Sequence, residues 1–182
     1  MAGNQNNRGQ TSQYTMVTWN VRGMAAPSKR RRVLAYLKRH GIQIAFLQET
    51  HMSPEGIKSL CRTWPGQVFG TCVSTYARGV LIWLAQGVPF VLNTSNIDPD
   101  GRRVVVEGCL DGTPLTLVAV YAPNSGHAAF FEALSPRLLN SPNNPMIWGG
   151  DFNCVPDIGM DRSFPPIPGA ACWKATQCLQ TW

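Results

Sequence analysis

Apolar residues arrive in short bursts along the first quarter of the chain. Thr15-Met-Val-Thr-Trp-Asn-Val21 has the pattern of a buried strand, and Pro27 with Ser28 opens a helix through about Arg39, in which Val33, Leu34 and Leu37 share one face. Gly41 stops that helix. Ile42 to Leu47 is a second apolar strand, and Ser53-Pro54-Glu55 starts a helix carrying Ile57, Leu60 and Trp64. From Val68 the rhythm changes to short strands over Val68–Val73, Gly79–Leu84, Val88–Asn93, Arg103–Leu110 and Leu115–Tyr121. Turn residues such as Gly87, Asp100-Gly101 and Asp111-Gly112 separate them, so hairpins are expected between neighbours. A helix over about Ala128 to Leu139 leads to the strand Met146-Ile147-Trp148, which feeds a loop from Gly149 to Asn153. The Pro-rich piece Phe164–Pro168 breaks the pattern, and Gly169–Trp182 begins a further helical one. No internal repeat or long linker is visible. Hairpins set between two βα portions predict an α/β sandwich with sheets in the middle and helices outside.

Length and composition narrow this to one domain: 182 residues, 44% hydrophobic and only 14% charged, against about 25% in an average soluble domain. Residues 1–13 are polar, rich in Asn, Gln and Gly, and are expected to form a disordered tail before a fold spanning 14–182. The longest apolar runs, such as Val80–Ala85, fall far short of the ~18 residues a membrane-spanning helix needs, so no membrane association is expected. Six cysteines, at 61, 72, 109, 154, 172 and 178, form no C-x-x-C pair, and the three histidines complete no zinc-type spacing. With no secretory signal, reduced thiols in an intracellular monomer without disulfide partners are expected.

Sixteen Lys and Arg against ten Asp and Glu give +6, compatible with a polyanionic partner. Six of those cations, Lys29 to Arg32 with Lys38 and Arg39, crowd one predicted helix. They read as a phosphate-binding stripe, as a nuclear-import signal or, more simply, as the solvated face of an amphipathic helix. Arg78, Arg102 and Arg103 lie near turns where they could line a nucleic-acid groove, and Trp19, Trp83 and Trp148 sit in apolar strands as core residues.

The scarcity of acids makes two of them conspicuous. Glu49 follows the strand ending at Leu47, and Asp151 follows the strand ending at Trp148 and two glycines; strand carboxyl ends are where α/β folds place their sites. Alone, each is an ordinary loop carboxylate. Asn20 also ends a strand, Asn153 follows Asp151 by two residues, and Tyr121 ends another strand, so two carboxylates, two carboxamides and a phenol can converge. Such a set suits phosphodiester hydrolysis: one carboxylate holds Mg²⁺, the ion and the amides neutralise phosphate oxygens, and the second carboxylate positions water. Gly149 and Gly150 are expected to let the backbone come close to the substrate.

In order along the chain, Thr18-Trp-Asn-Val-Arg-Gly-Met24, Leu47-Gln-Glu-Thr-His51, Tyr121-Ala-Pro-Asn124 and Trp148-Gly-Gly-Asp-Phe-Asn153, with Asp161-Arg162 after them, resemble the endonuclease/exonuclease/phosphatase superfamily. Within it the wording is similar to the apurinic/apyrimidinic-endonuclease-like domain of LINE-type (non-LTR) retrotransposons. The resemblance covers about residues 15 to 165. It implies a four-layer α/β sandwich of two packed mixed sheets with outer helices, and a Mg²⁺-dependent DNA-nicking endonuclease in which Mn²⁺ can stand in for the ion. It also implies a nuclear place of work if the protein functions. By the same resemblance Glu49 is the metal ligand with Asn20 beside it, Asp151 orients or deprotonates water, and Asn153 holds the scissile phosphate. Tyr121 helps position that phosphate; Asn124 and, from their place near turns, Arg78, Arg102 and Arg103 are expected to touch substrate.

The family closes with a Ser-Arg-Ile-Asp-like strand and an Asp-His pair, and neither block is found here: no histidine follows His127, and after Asp151 only Asp157 and Asp161 remain. His51 follows Glu49 too closely to imitate that histidine, and His40 and His127 read as helix-end residues. The expectation is an incomplete domain lacking its last strands, with an unpaired edge in the sheet that bears Asp151, and inactive by itself. Two other readings compete: a phosphoesterase of the same superfamily acting on a lipid or small phosphoester, and a catalytically dead, basic nucleic-acid-binding remnant.

Overall fold

The computed structural model describes residues 12–71, 78–138 and 144–154. Along them run β1 (Met16–Asn20), α1 (Pro27–Arg39), β2 (Ile44–Gln48), α2 (Pro54–Thr63), β3 (Gln67–Gly70), β4 (Val80–Leu84), β5 (Phe90–Ile97), β6 (Arg103–Leu110), β7 (Thr113–Tyr121), α3 (His127–Leu138) and β8 (Met146–Asp151). All five residues of β2 and of β4 are buried, as strands covered on both faces must be. Their alternate side chains serve different layers. Ile44, Phe46, Val80, Ile82 and Leu84 meet Val104, Val106, Leu117 and Ala119 between two sheets. Ala45, Leu47, Leu81 and Trp83 face the other way, onto Val33 and Leu37 of α1 and Leu60 of α2. Phe131 and Leu134 of α3 cover Val105, Val118 and Val120 on the far side of the second sheet. The result is helix, sheet, sheet, helix, as the resemblance implies.

The sheets run β1-β2-β4-β3 and β5-β6-β7-β8, and both are mixed. In each, a parallel pair linked through a helix (β1 with β2, β7 with β8) lies beside antiparallel strands. The chain has no sequence repeat, yet the two sheets repeat one plan. β1 packs near β8, and β2 near β7 and β8, so the carboxyl ends of four strands gather at one end of the sandwich.

Three expectations need correction. The Gly87 connection is not a hairpin but a crossing between sheets: β4 already has β2 on one edge and β3 on the other, so no edge is left for β5. Asp111-Gly112 is the hairpin turn expected, with φ of 53° and 78° closing Leu110 onto Thr113. β5 continues past Asn93 to Ile97 through a register shift between Leu92 and Thr94, which interrupts its alternation. β8 runs on through the two glycines to Asp151, so that acid is the last strand residue and not part of a loop. Among the described residues β8 is the edge of its sheet. Val73, Leu139, Asp157, Asp161, the Pro-rich piece and the pattern over Gly169–Trp182 lie outside the described residues. So do Cys72, Cys172 and Cys178; Cys61, Cys109 and Cys154 are not joined in disulfides. Among the described residues no helix is long and apolar enough to cross a membrane.

Ser53 caps α2, its Oγ accepting from the Gly56 N–H at 3.1 Å ahead of Pro54 in the first turn. Ser53→Ala is expected to cost about 1 kcal/mol of stability in a urea titration, the usual loss of such a cap.

Candidate active site

Strand alternation delivers most of the site. Met16 and Ile44 open the inward-facing positions of β1 and β2, and steps of two carry that face to Asn20 and Gln48. Leu117, Ala119 and Tyr121 do the same on β7, and Ile147, Gly149 and Asp151 on β8. Glu49 is the exception. One residue beyond Gln48 it would point outward, but its backbone turns left-handed with φ of 51°, and His51 follows at 52°. Such conformations cost about 1 kcal/mol or more each away from glycine, so the surroundings must hold them. They do: Gly23 and Met24 donate backbone N–H groups to the carbonyls of Glu49 and Thr50, while Thr50 and His51 donate to Gly79 and Arg78.

This turn brings Glu49 to Asn20, Tyr121 and Asp151. Asn20 Nδ2 donates to Glu49 Oε1 at 2.8 Å and to Asp151 Oδ2 at 3.0 Å, so a single carboxamide joins the two acids. The Arg22 N–H donates to Asn20 Oδ1 at 3.1 Å and fixes the orientation of that amide. Tyr121 OH donates to Glu49 Oε1 at 3.1 Å. Burial pushes the Tyr121 phenol above its ordinary value, and its bond to Glu49 and the nearby Asp151 charge add to the shift, so it stays protonated as a donor. Arg102 braces it from behind, donating to the Tyr121 carbonyl at 3.2 Å with its guanidinium 5.6 Å from the ring centre. Burial and Arg78 lower the Arg102 pKa from its usual high value.

Asp151 Oδ1 accepts the Asn153 N–H at 3.2 Å, and Asn153, with φ of 48°, donates its side-chain amide to the Ala122 carbonyl at 2.7 Å. Asn153 thus ties β8 to β7 at the rim of a cleft of about 490 Å³ lined by Thr18, Asn20, Gln48, Asp151, Phe152 and Cys154. Thr18 and Gln48 are cleft residues the sequence reading did not single out. Their alternation with Asn20 and Phe46 was the available signal, and they bond to one another, Gln48 Nε2 to Thr18 Oγ1 at 3.2 Å.

Other expected residues divide. Asn124 is exposed in the loop after β7. Arg78 is half-buried and reaches the Asp100 carbonyl at 3.4 Å. Arg103 is 4% exposed and donates to Asn96 Oδ1 at 3.0 Å, and with Arg102 it lines a pocket of about 210 Å³ beside Asp98, Asp100 and Phe130. A Cβ at Gly149 would stand 2.3 Å from the Phe46 ring, so its bareness serves packing between the sheets; Gly150 lines the cleft, and a Cβ there would stand 2.3 Å from the Val120 carbonyl. His51 Nε2 lies 3.9 Å from Glu49 Oε2, and His40 is exposed at the end of α1.

The donor set suits a hard divalent cation. Glu49 Oε1 accepts both hydrogen bonds and Oε2 remains open on the His51 side. Among the described residues no three acid, histidine or cysteine side chains are grouped to cage an ion. One or two carboxylates, with water and a phosphate completing the shell, are what Mg²⁺ accepts, whereas structural zinc asks for four protein ligands.

Residues 17–182 match the model of the Endonuclease/Exonuclease/phosphatase family. The chain is similar to the Transposon TX1 uncharacterized 149 kDa protein of Xenopus laevis, 34% identical over 152 residues, or 81% of this chain and 12% of that protein. Its fold is similar to that of the AP endonuclease LMAP from Leishmania major, with a TM-score of 0.69 at 17% identity over 92% of this chain and 65% of that one. It is also similar to the APE2 catalytic domain of Xenopus laevis, with a TM-score of 0.64 at 15% identity, covering 91% of this chain and 66% of that domain. The chain therefore spans about an eighth of the transposon protein and two thirds of each solved structure.

Proposed function

We propose, since this chain belongs to the Endonuclease/Exonuclease/phosphatase family, that its cleft serves hydrolysis of a phosphodiester in DNA with Mg²⁺ or Mn²⁺, nicking one strand, as part of a retrotransposon endonuclease domain. The observation that carries this reading is the Asn20 amide shared by Glu49 and Asp151 at the converging ends of β1, β2 and β8. Two carboxylates held at fixed spacing by one neutral donor can divide the work. Glu49 would hold the ion, which would supply charge neutralisation at the phosphate and at the leaving oxygen. Asp151 holds and deprotonates the attacking water, and Asn20 keeps both acids from swinging apart. The Tyr121 phenol, locked to Glu49 and braced by Arg102, keeps the ligand in orientation. A net charge of +6 favours a polyanionic substrate, and on this reading the work is done in the nucleus.

No histidine after His127 is available to protonate the leaving oxygen, so the 182 residues by themselves are proposed to hold the ion without cutting. The test joins this chain to the stretch of the Xenopus transposon protein that follows the matched segment and assays nicking of supercoiled plasmid. Nicking in Mg²⁺ that disappears in EDTA is expected. Turnover of an inositol phosphate with intact plasmid would replace DNA by a small phosphoester as the substrate.

A further inference from the structure

The basic helix is not the uniform solvated face that amphipathicity alone would give. Lys29 and Arg30 turn back onto the loop before α1: Lys29 Nζ donates to the Arg22 carbonyl at 2.6 Å, and Arg30 Nη2 to the Ala25 carbonyl at 2.7 Å. The other four cations, Arg31, Arg32, Lys38 and Arg39, are exposed. The helix carries no acid, and none of the four has an ion-pair partner among the described residues. Lys38 and Arg39 suit the carboxyl end of the helix, whereas Arg31 and Arg32 sit near its amino end, where positive charge is disfavoured.

An aromatic platform lies inside this patch. Tyr36 is 47% exposed, and its ring stacks on His40 with centroids 4.0 Å apart and packs at a tilt on Trp19 at 5.0 Å. His40 is locked in turn by a 2.9 Å hydrogen bond between Nδ1 and the Tyr36 carbonyl. Arg32 precedes Tyr36 by four residues and Arg39 follows it by three, so the two residues lie on the Tyr36 stripe of the helix, about 10 Å apart along the axis. A helix that merely covers the core through Val33 and Leu37 has no need of an outward stacked ring between arginines. α1 packs on the outer face of the first sheet, whereas Glu49 and Asp151 meet between the sheets, so this stripe is not a wall of the cleft.

We infer that the Arg32-Tyr36-Arg39 stripe, with Arg31 and Lys38 beside it, is a binding surface for single-stranded nucleic acid, separate from the proposed cutting site. The cations take backbone phosphates and the exposed side of the Tyr36–His40 stack takes an unpaired base; a duplex hides its base faces and would gain only the charge contacts. The contacts inferred are to phosphate and to base face, which RNA and DNA strands share.

The test is anisotropy of a short fluorescein-labelled oligothymidylate with the 182-residue chain in EDTA across a salt series. No hydrolysis is read, so the result stands apart from the endonuclease reading. The Arg32→Ala, Arg39→Ala double variant changes only exposed side chains; it should weaken binding about tenfold and flatten the log–log salt slope by about 1.4, or ~0.7 per lost phosphate contact. Tyr36→Ala should cost a further factor of about ten, and Tyr36→Phe should restore it, because stacking needs the ring and not the hydroxyl. Oligouridylate should compete as well as unlabelled oligothymidylate, and a duplex of the same length several-fold less. An unchanged Kd in the double arginine variant would overturn the inference. So would equal competition by duplex, or equal affinity for phosphatidylserine vesicles.

Discussion

Asp151→Asn, in a chain extended so that it nicks plasmid, is expected to lower the rate at saturating Mg²⁺ by about 10²- to 10⁴-fold, the usual contribution of a positioned general base. The change is nearly isosteric. It keeps an oxygen for the Asn153 N–H but sets an amide group where Asp151 Oδ2 now accepts from Asn20. Glu49→Gln should behave differently. It keeps an oxygen to accept from Asn20 and Tyr121 but removes the charge beside the open Oε2, so the Mg²⁺ needed for half-maximal nicking should rise by at least about tenfold, with part of the rate recovered at high Mg²⁺. Nicking rates measured across a Mg²⁺ series separate the two patterns. Full activity in Asp151→Asn, or a Glu49→Gln loss that no Mg²⁺ concentration touches, would sink this division of labour between the acids.

The second large effect falls on stability. Gly149→Ala is expected to destabilise the fold by about 3 kcal/mol, the upper end of the usual range for overpacking. The added methyl would lie 2.3 and 2.4 Å from two atoms of the Phe46 ring, closer than real side chains approach, and Phe46 is only 2% exposed in the layer between the sheets. Neither partner can step aside, because the clash joins two sheets whose neighbouring strands are paired along their length. Phe46→Leu in the same chain should recover part of the loss, with a coupling of about 1–2 kcal/mol between the two positions in urea titrations. A Gly149→Ala chain as stable as the parent would mean that the sheets do not approach this closely at β8.

These two predictions rest on different kinds of information. The place of Asn20 was legible in the chain, two steps from Thr18 on β1, whereas Asp151 was legible only as a residue past the end of a strand, because the strand was expected to stop at Trp148. That counting does not reach Arg102, which lies in the turn just before β6. It does not say that Arg102 finds the Tyr121 ring while Arg103 is enclosed beside Asn96. Glu49 defeats the counting, because a left-handed turn reverses its direction, and that turn exists only where the 22–24 and 78–79 segments supply its hydrogen bonds.

By itself the sequence determined the identity and order of the elements, the helical faces that cover the sheets, the strand-end positions of Asn20 and Tyr121, and the family the motifs resemble. These depend on periods of two and 3.6 residues and on short motifs, all local in the chain. Only the tertiary structure decided that β5 leaves the first sheet, that Gly149 is kept bare by the Phe46 ring, and that one carboxamide joins two acids from different sheets. Each of these depends on which strand edges are already occupied and on which side chains approach across the layer between sheets, between residues as much as 131 positions apart.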